Sequence, residues 1–218
     1  MPTFKKPQKG KNPWENIKDE YFEHMSNPQV AQTQALNDIT EKQYKTCSSP
    51  EKIIIFGIAD GNGLEHVDEN KTTDVYGIDI NQNFLDKCRD KYNNKKYKLH
   101  LQKIDINHEN INLPKMNLII ANLFLEYVDL SKFISITKKI INNDSIISII
   151  IQKNNENDFV SETEHSRKLE KELGDHHQNI NKKELIDFFK KNNLNLTKEE
   201  ITNLPNNKEF IRLDFQKI

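Results

Sequence analysis

The sequence predicts an α/β fold: a doubly wound, mostly parallel seven-stranded sheet, closed by a C-terminal antiparallel hairpin and preceded by a pair of helices. Three observations carry this. From Glu51 onward, short apolar runs alternate with helical stripes, the pattern of strands joined by right-handed crossovers. The run Ile53-Ile54-Ile55-Phe56 is continuous and β-branched, as a parallel strand buried on both faces requires. Near the C-terminus, Leu194 and Leu196, then Ile211, Leu213 and Phe215, alternate with polar residues around the turn Leu204-Pro205-Asn206-Asn207.

Before the sheet, Asn12-Pro13 reads as a helix start, with Trp14, Ile17, Tyr21 and Met25 on one stripe. Asn27-Pro28 repeats the signal for a second helix carrying Val30, Ala31, Ala35, Ile39 and Tyr44, which ends by Ser48-Ser49-Pro50. Residues 1–11 read as a mobile basic tail. Within the sheet, Ile53–Phe56, Val75–Ile78, Leu99–Ile104, Leu118–Ala121 and Ser145–Ile151 are the parallel strands. Phe84, Leu85, Cys88 and Tyr92 mark one helix between them; Phe133, Ile136, Ile140 and Ile141 mark another. A short helix over Lys168–Leu173 stops at Gly174. Asn181 with Glu184 forms a capping-box signature, and Ile180 is placed to staple against Leu185.

The 218 residues carry 32 Lys+Arg against 33 Asp+Glu, a net charge of −1, and the mean hydropathy is −0.82. That balance argues against a dedicated duplex-DNA binder, which needs a basic excess. No apolar run approaches the roughly 18–20 residues of a membrane span, and the N-terminus lacks the apolar stretch of a secretory signal. Cys47 and Cys88 make no disulfide scaffold, so a reducing, cytoplasmic setting is expected. Paired Cys/His spacing is absent, and His176-His177 has no companion ligands, so no metal site is expected.

The chemistry concentrates at three strand-to-helix corners. The first strand runs into Gly57-Ile58-Ala59-Asp60-Gly61-Asn62-Gly63, a loop whose backbone can approach a ligand closely. A helix is expected to follow it, offering free N–H groups to an anion. The second strand ends in Asp79, placed to accept both hydroxyls of a ribose. The third ends in Asp105. All three meet in one crevice at the carboxyl edge of the sheet. A dinucleotide fingerprint fits badly, because its third glycine falls on His66. No Gly-Lys-Ser/Thr of a P-loop follows either.

The stretch Ile53–Gly63 resembles the V-L-D-L-G-C-G-T-G-x-G motif of the class I S-adenosylmethionine-dependent methyltransferases. Val75–Ile80, Ile104-Asp105-Ile106, Asn117–Leu123 and the ending Phe210–Phe215 resemble that family's later strands. The similarity spans residues 50–150 and 180–218, with Ile55 and Ala59 as departures from an acid and a glycine. It implies a Rossmann-like cofactor domain over residues 50–218, preceded by a flexible tail and helical lid over residues 1–49. It implies S-adenosyl-L-methionine as cofactor: Gly57, Ala59, Asp60 and Gly61 at its methionine part, Asp79 on the ribose, Ile80 on the adenine, Asp105 and Ile106 at the adenine edge, and Asn122 facing the sulfonium. Glu126, Tyr127, His176 and His177 are the candidate catalytic residues on the acceptor side, with Tyr21 and His24 behind them. No N/D-P-P-Y/F stretch follows the fourth strand. With the neutral charge and the lid, this favours transfer to a small-molecule acceptor over nucleic acid, in a protein that needs no membrane and admits a homodimer. The alternative is a non-catalytic methyltransferase-like binding or assembly module.

Overall fold

The computed structural model describes residues 12–48, 50–154 and 159–217; the tail expected over residues 1–11 lies outside them. Seven strands form one sheet: β1 (Lys52–Phe56), β2 (Asp74–Asp79), β3 (Lys98–Lys103), β4 (Met116–Asn122), β5 (Ile141–Lys153), β6 (Leu194–Asn203) and β7 (Glu209–Lys217). Their order is β3-β2-β1-β4-β5-β7-β6. The first five strands pair in parallel, and β7 enters antiparallel between β5 and β6. The order reverses between β1 and β4, and that switch point is where an open α/β sheet binds its ligand.

The helices are α1 (Asp19–Ser26), α2 (Gln32–Thr46), α3 (Gln82–Tyr92), α4 (Leu130–Ile140), α5 (Ser166–Leu173) and α6 (Lys182–Lys191). Alternation along β1 divides the core. Ile54 and Phe56 pack with α4 and α6, through Phe133, Ile140, Leu185 and Phe189. Ile53 and Ile55 pack on the other face with Tyr44 of α2 and with Leu85, Cys88 and Tyr92 of α3. Asn181 caps α6 by accepting from Glu184 N, and both expected staple residues, Ile180 and Leu185, are buried. No helix among the described residues is long and apolar enough to cross a membrane.

Four expectations are corrected. The first helix begins at Asp19, because Asn12 Oδ1 accepts from Trp14 N at 2.9 Å and closes a turn over residues 13–16 instead. The second begins at Gln32: Val30 sits in the preceding turn, and Ala31 takes a left-handed φ of 52°. No α-helix follows the glycine loop, only one 3-10 turn, Leu64–His66. Gly63 there has φ 92°, and a Cβ on it would lie 2.7 Å from Thr40 Cγ2 of α2, so α2 occupies the space beside this loop. Ile141 belongs to β5, whose register against β4 shifts between Met116 and Leu118; Ser145 Oγ fills the irregularity by donating to Met116 O.

A buried polar chain fixes α2 to the sheet. Arg212 and Asp214 share one face of β7 and are 1% and 0% exposed. The guanidinium donates to both carboxylate oxygens, at 2.9 and 2.7 Å, and to Thr46 Oγ1 in the last turn of α2. Ser148 of β5 donates to Asp214, and Gln43 of α2 donates to Ser148 Oγ at 2.9 Å. Removing one partner of such a pair strands the other charge. Asp214→Ala is expected to destabilise the fold by about 3–5 kcal/mol in urea titration; a loss under about 1 kcal/mol would show the pair to be dispensable.

Candidate functional site

The three corners meet as expected at a cavity of about 1010 Å³ of empty space, its open mouth included, and it lies at the carboxyl ends of β1, β2, β3 and β4. Gly57, Ala59, Asp79, Ile80, Asp105, Ile106 and Asn122 all line this corner cavity, as do Tyr127 and His176. A second cavity, of about 1000 Å³, lies between the glycine loop and the helices α1 and α2. It shares Tyr21, Gly57, Ala59, Asn122 and Leu123 with the first. A third, smaller cavity of about 530 Å³ lies behind Trp14, Tyr21, Leu123 and Tyr127.

Asp79 organises the first two corners. It is buried; Oδ2 accepts from Ala59 N and Oδ1 from Asn81 N, both at 2.9 Å. Burial raises its pKa to about 6, against the N–H groups of Asn81, Ala59 and Ile80, which pull it down. The loop it holds is tightly wound. Gly57 has φ 68°, and a Cβ there would sit 2.9 Å from the Phe124 ring, so only glycine fits. Ala59, at φ 49°, and Leu123, at φ 51°, take the same left-handed region despite their side chains. Strained residues of this kind collect at ligand sites. Glu65 steadies the loop from outside by accepting from Gly63 N, Tyr92 Oη and Asn37 Nδ2. Burial raises its pKa, but these bonds win and hold it at about 2.

Other expected residues are placed differently. Gly61 does not face the cavities; it packs against Cys88, Tyr92 and Leu64. Asp60 lines only the loop cavity and pairs with Lys91 at 3.3 Å. Asp105 lines the corner cavity, but Oδ1 accepts from Asn107 N and Oδ2 contacts His108 Nδ1 at 2.7 Å, so it also caps its own turn. Asn122 has committed its amide: Oδ1 accepts from Gln43 at 2.9 Å, and Nδ2 donates to Gln43 Oε1 and Thr40. Ile106 is core, 1% exposed.

The acceptor-side candidates separate. His176 reaches the corner cavity, whereas its neighbour His177 lines the inner one, stacked on Phe159 with centroids 4.1 Å apart. Glu126 lines the inner cavity alone of the two. Its Oε1 accepts from Gln152 N at 3.0 Å, while Oε2 has no partner among the described residues. Burial raises the Glu126 pKa to about 7, opposed by the N–H groups of Gln152 and Glu126 itself. Tyr127 stands between the two cavities, its phenol held well above the usual range by burial, then by Glu126 and Tyr21.

Sequence reasoning missed Asn12, Trp14 and Asn81. Asn81 caps α3 through Asn83 N and donates from Nδ2 to Trp14 O and Ile17 O. Asn12 donates to Ile80 O at 3.3 Å. Together they lay the turn before α1 along the rim of the corner cavity. The Asn-Pro pair was the one local signal, and it fits a capped turn as well as a helix start.

Residues 55–149 match the family model described as a methyltransferase domain. No curated protein matches the sequence significantly. Among solved structures, a magnesium protoporphyrin IX methyltransferase from Synechocystis with bound S-adenosylmethionine superposes with a TM-score of 0.68 at 9% identity, over 97% of this chain and 100% of that one. The N-methyltransferase NodS from Bradyrhizobium japonicum, in complex with S-adenosyl-L-homocysteine, gives 0.67 at 11% identity, over 92% and 93%. An S-adenosylmethionine-dependent methyltransferase from Clostridium acetobutylicum gives 0.64 at 15% identity, over 90% and 98%. At such identities the likeness to these structures is one of fold. Residues 55–149 thus match a methyltransferase domain, and the fold around them is the one these S-adenosylmethionine-dependent methyltransferases share.

Proposed function

We propose that the protein transfers a methyl group to a small-molecule acceptor, with residues 12–48 serving as the lid over the site. The observation that carries this is the meeting of the corner cavity and the loop cavity at Gly57, Ala59, Asn122 and Leu123, with the inner cavity opening off the same wall at Tyr21 and Leu123. An elongated cofactor fits the first two, nucleoside in one and amino-acid end in the other. The third is left for an acceptor. The cofactor brings a methyl carbon already activated by positive sulfur. The chain's own work is alignment and exclusion of water.

The residues fit this division. Asp79 faces the nucleoside half with lone pairs to spare beyond its two backbone bonds, and is the candidate ribose acceptor. Ile80 and Ile106 offer apolar walls. Asp105 is the candidate for the adenine edge, competing there with Asn107 and His108. Gly57 and Ala59 bring the backbone against the methionine end, and Asp60 stands at the far side of the loop cavity with Glu23. Asn122 acts through Gln43, shaping the junction. Trp14, Tyr21 and Tyr127 make the aromatic wall, with edge-on ring contacts at 5.5 and 5.1 Å. A wall without cationic side chains suits a small organic acceptor better than a phosphate backbone. In support, the magnesium protoporphyrin IX methyltransferase named above acts on a small molecule, by its name.

Isothermal titration with S-adenosylmethionine and S-adenosylhomocysteine tests the reading. Binding in the micromolar range is expected, and Asp79→Ala should weaken it by about tenfold or more, the worth of a hydrogen bond to a charged group. Absence of binding to the wild-type chain would instead favour the non-catalytic binding or assembly module. Affinity should also depend on pH. Ribose hydroxyls donate, so they favour the ionised carboxylate, and the raised pKa means Asp79 loses its charge as pH falls through about 6. Binding of S-adenosylhomocysteine is therefore expected to weaken between pH 7.5 and pH 5 in the wild type and to lose that dependence in Asp79→Asn; parallel profiles would remove Asp79 from the sugar.

A further inference from the structure

The inner cavity holds the one feature of the site that nothing in the fold uses. Glu126 is 2% exposed, one of its oxygens is satisfied by Gln152 N, and the other has no partner among the described residues. An unpaired buried carboxylate is costly, and buried charges are retained where a counter-charge meets them. Among the described residues none is supplied here: no Lys or Arg of theirs lines the cavity. Its other titratable walls are Tyr21, Tyr127, His24 and His177. His24 has its Nδ1 against Thr163 Oγ1 at 2.8 Å, and burial, then Lys208 and His165, push its pKa down to about 4, so it stays uncharged. His177 is stacked on Phe159 and edge-on to Tyr127. Lys208 stands outside the lining, its ammonium donating to Phe159 O at 2.9 Å. The counter-charge for Glu126 therefore has to arrive with the ligand.

The rest of the wall suits such a guest. Trp14, Tyr21, Tyr127 and Phe159 surround the cavity with ring faces and edges, and π-faces attract an ammonium group. Met25, Leu169 and Leu173 add an apolar floor.

We propose that the inner cavity is an amine-acceptor site, in which Glu126 pairs with the protonated nitrogen of a compact, flat, apolar amine. The inference deepens the reading above and rests on it for the word acceptor. Glu126 then has a second use. Moving one proton from the ammonium nitrogen to Oε2 breaks an N–H bond, forms an O–H bond, and leaves the nitrogen with the free lone pair that methyl transfer requires. A carboxyl group poised near neutrality can take that proton and return it to solvent.

The test is calorimetric titration of the full-length chain at pH 7.5 with three probes of one shape: benzylamine, benzyl alcohol and benzoate. Benzylamine is expected to bind about tenfold or more tighter than the alcohol, with benzoate weakest. Glu126→Gln is expected to erase that preference by weakening the amine and sparing the alcohol. Equal or tighter binding of the alcohol or benzoate overturns the proposal, as does no binding of any of the three, or an amine preference that survives Glu126→Gln. Should that variant not fold, the wild-type ranking decides alone. A parallel titration with S-adenosylhomocysteine keeps the two readings apart: its failure beside an intact amine ranking overturns the cofactor site and spares this one, and the reverse outcome sinks only the amine site.

Discussion

A guanidinium buried away from water has to be met by a carboxylate, and in this protein that requirement shapes the whole upper half of the molecule. Arg212 and Asp214 pair on β7, and their further bonds reach outward through Ser148 to Gln43 and through Thr46 to the end of α2. The chain of bonds ends at Asn122, on the lip of the cavities. A buried pair of this kind contributes little to net stability against a well-packed apolar alternative. What it supplies here is position. Ile39 and Tyr44 would pack α2 onto any apolar surface of the right size, whereas Gln43 and Thr46 accept only one register. In that register α2 lies against the glycine loop, with Thr40 filling the space next to Gly63.

The same division between packing and position runs through the site. Aromatic side chains from the turn before α1, from α3 and from the segment after β4 build one continuous wall by edge and face contacts. Their burial is non-directional. The directional part comes from amide side chains: Asn12 and Asn81 hold the turn to the second corner, Asn107 accepts from Asp129 N and ties the third corner to the start of α4, and Gln178 donates to Leu125 O and Val128 O. An Asn-rich composition is thus put to use as backbone ties around the crevice.

Much of this was legible in the sequence. β1, β2 and β4 are legible as near-continuous apolar runs, and β6 and β7 through alternation of apolar and polar residues, although in β7 the polar ones, Arg212 and Asp214, are themselves buried. Gly57 and Asp79 were legible because the features that mark them, a glycine turn and an acid at a strand end, are each local to one corner. The start of α1 was not, since Trp14 and Ile17 have helical spacing and yet bury their side chains from a capped turn. The missing helix after the glycine loop was hidden for a related reason: what packs beside the loop, Thr40 of α2, lies earlier in the chain. Asn122 and Glu126 show the same limit. An amide and an acid after β4 were visible, but that one is spoken for by Gln43 and the other left with one oxygen unpaired depends on what distant segments bring to them.

Ala59 and Asp79 together have a mechanical meaning. An alanine held at positive φ costs about 1–2 kcal/mol relative to relaxed backbone, so the loop is a wound spring, and the carboxylate gripping Ala59 N is its catch. A ligand hydroxyl that drew on that carboxylate would compete with the Ala59 N–H for it, so filling the crevice and relaxing the loop would be coupled.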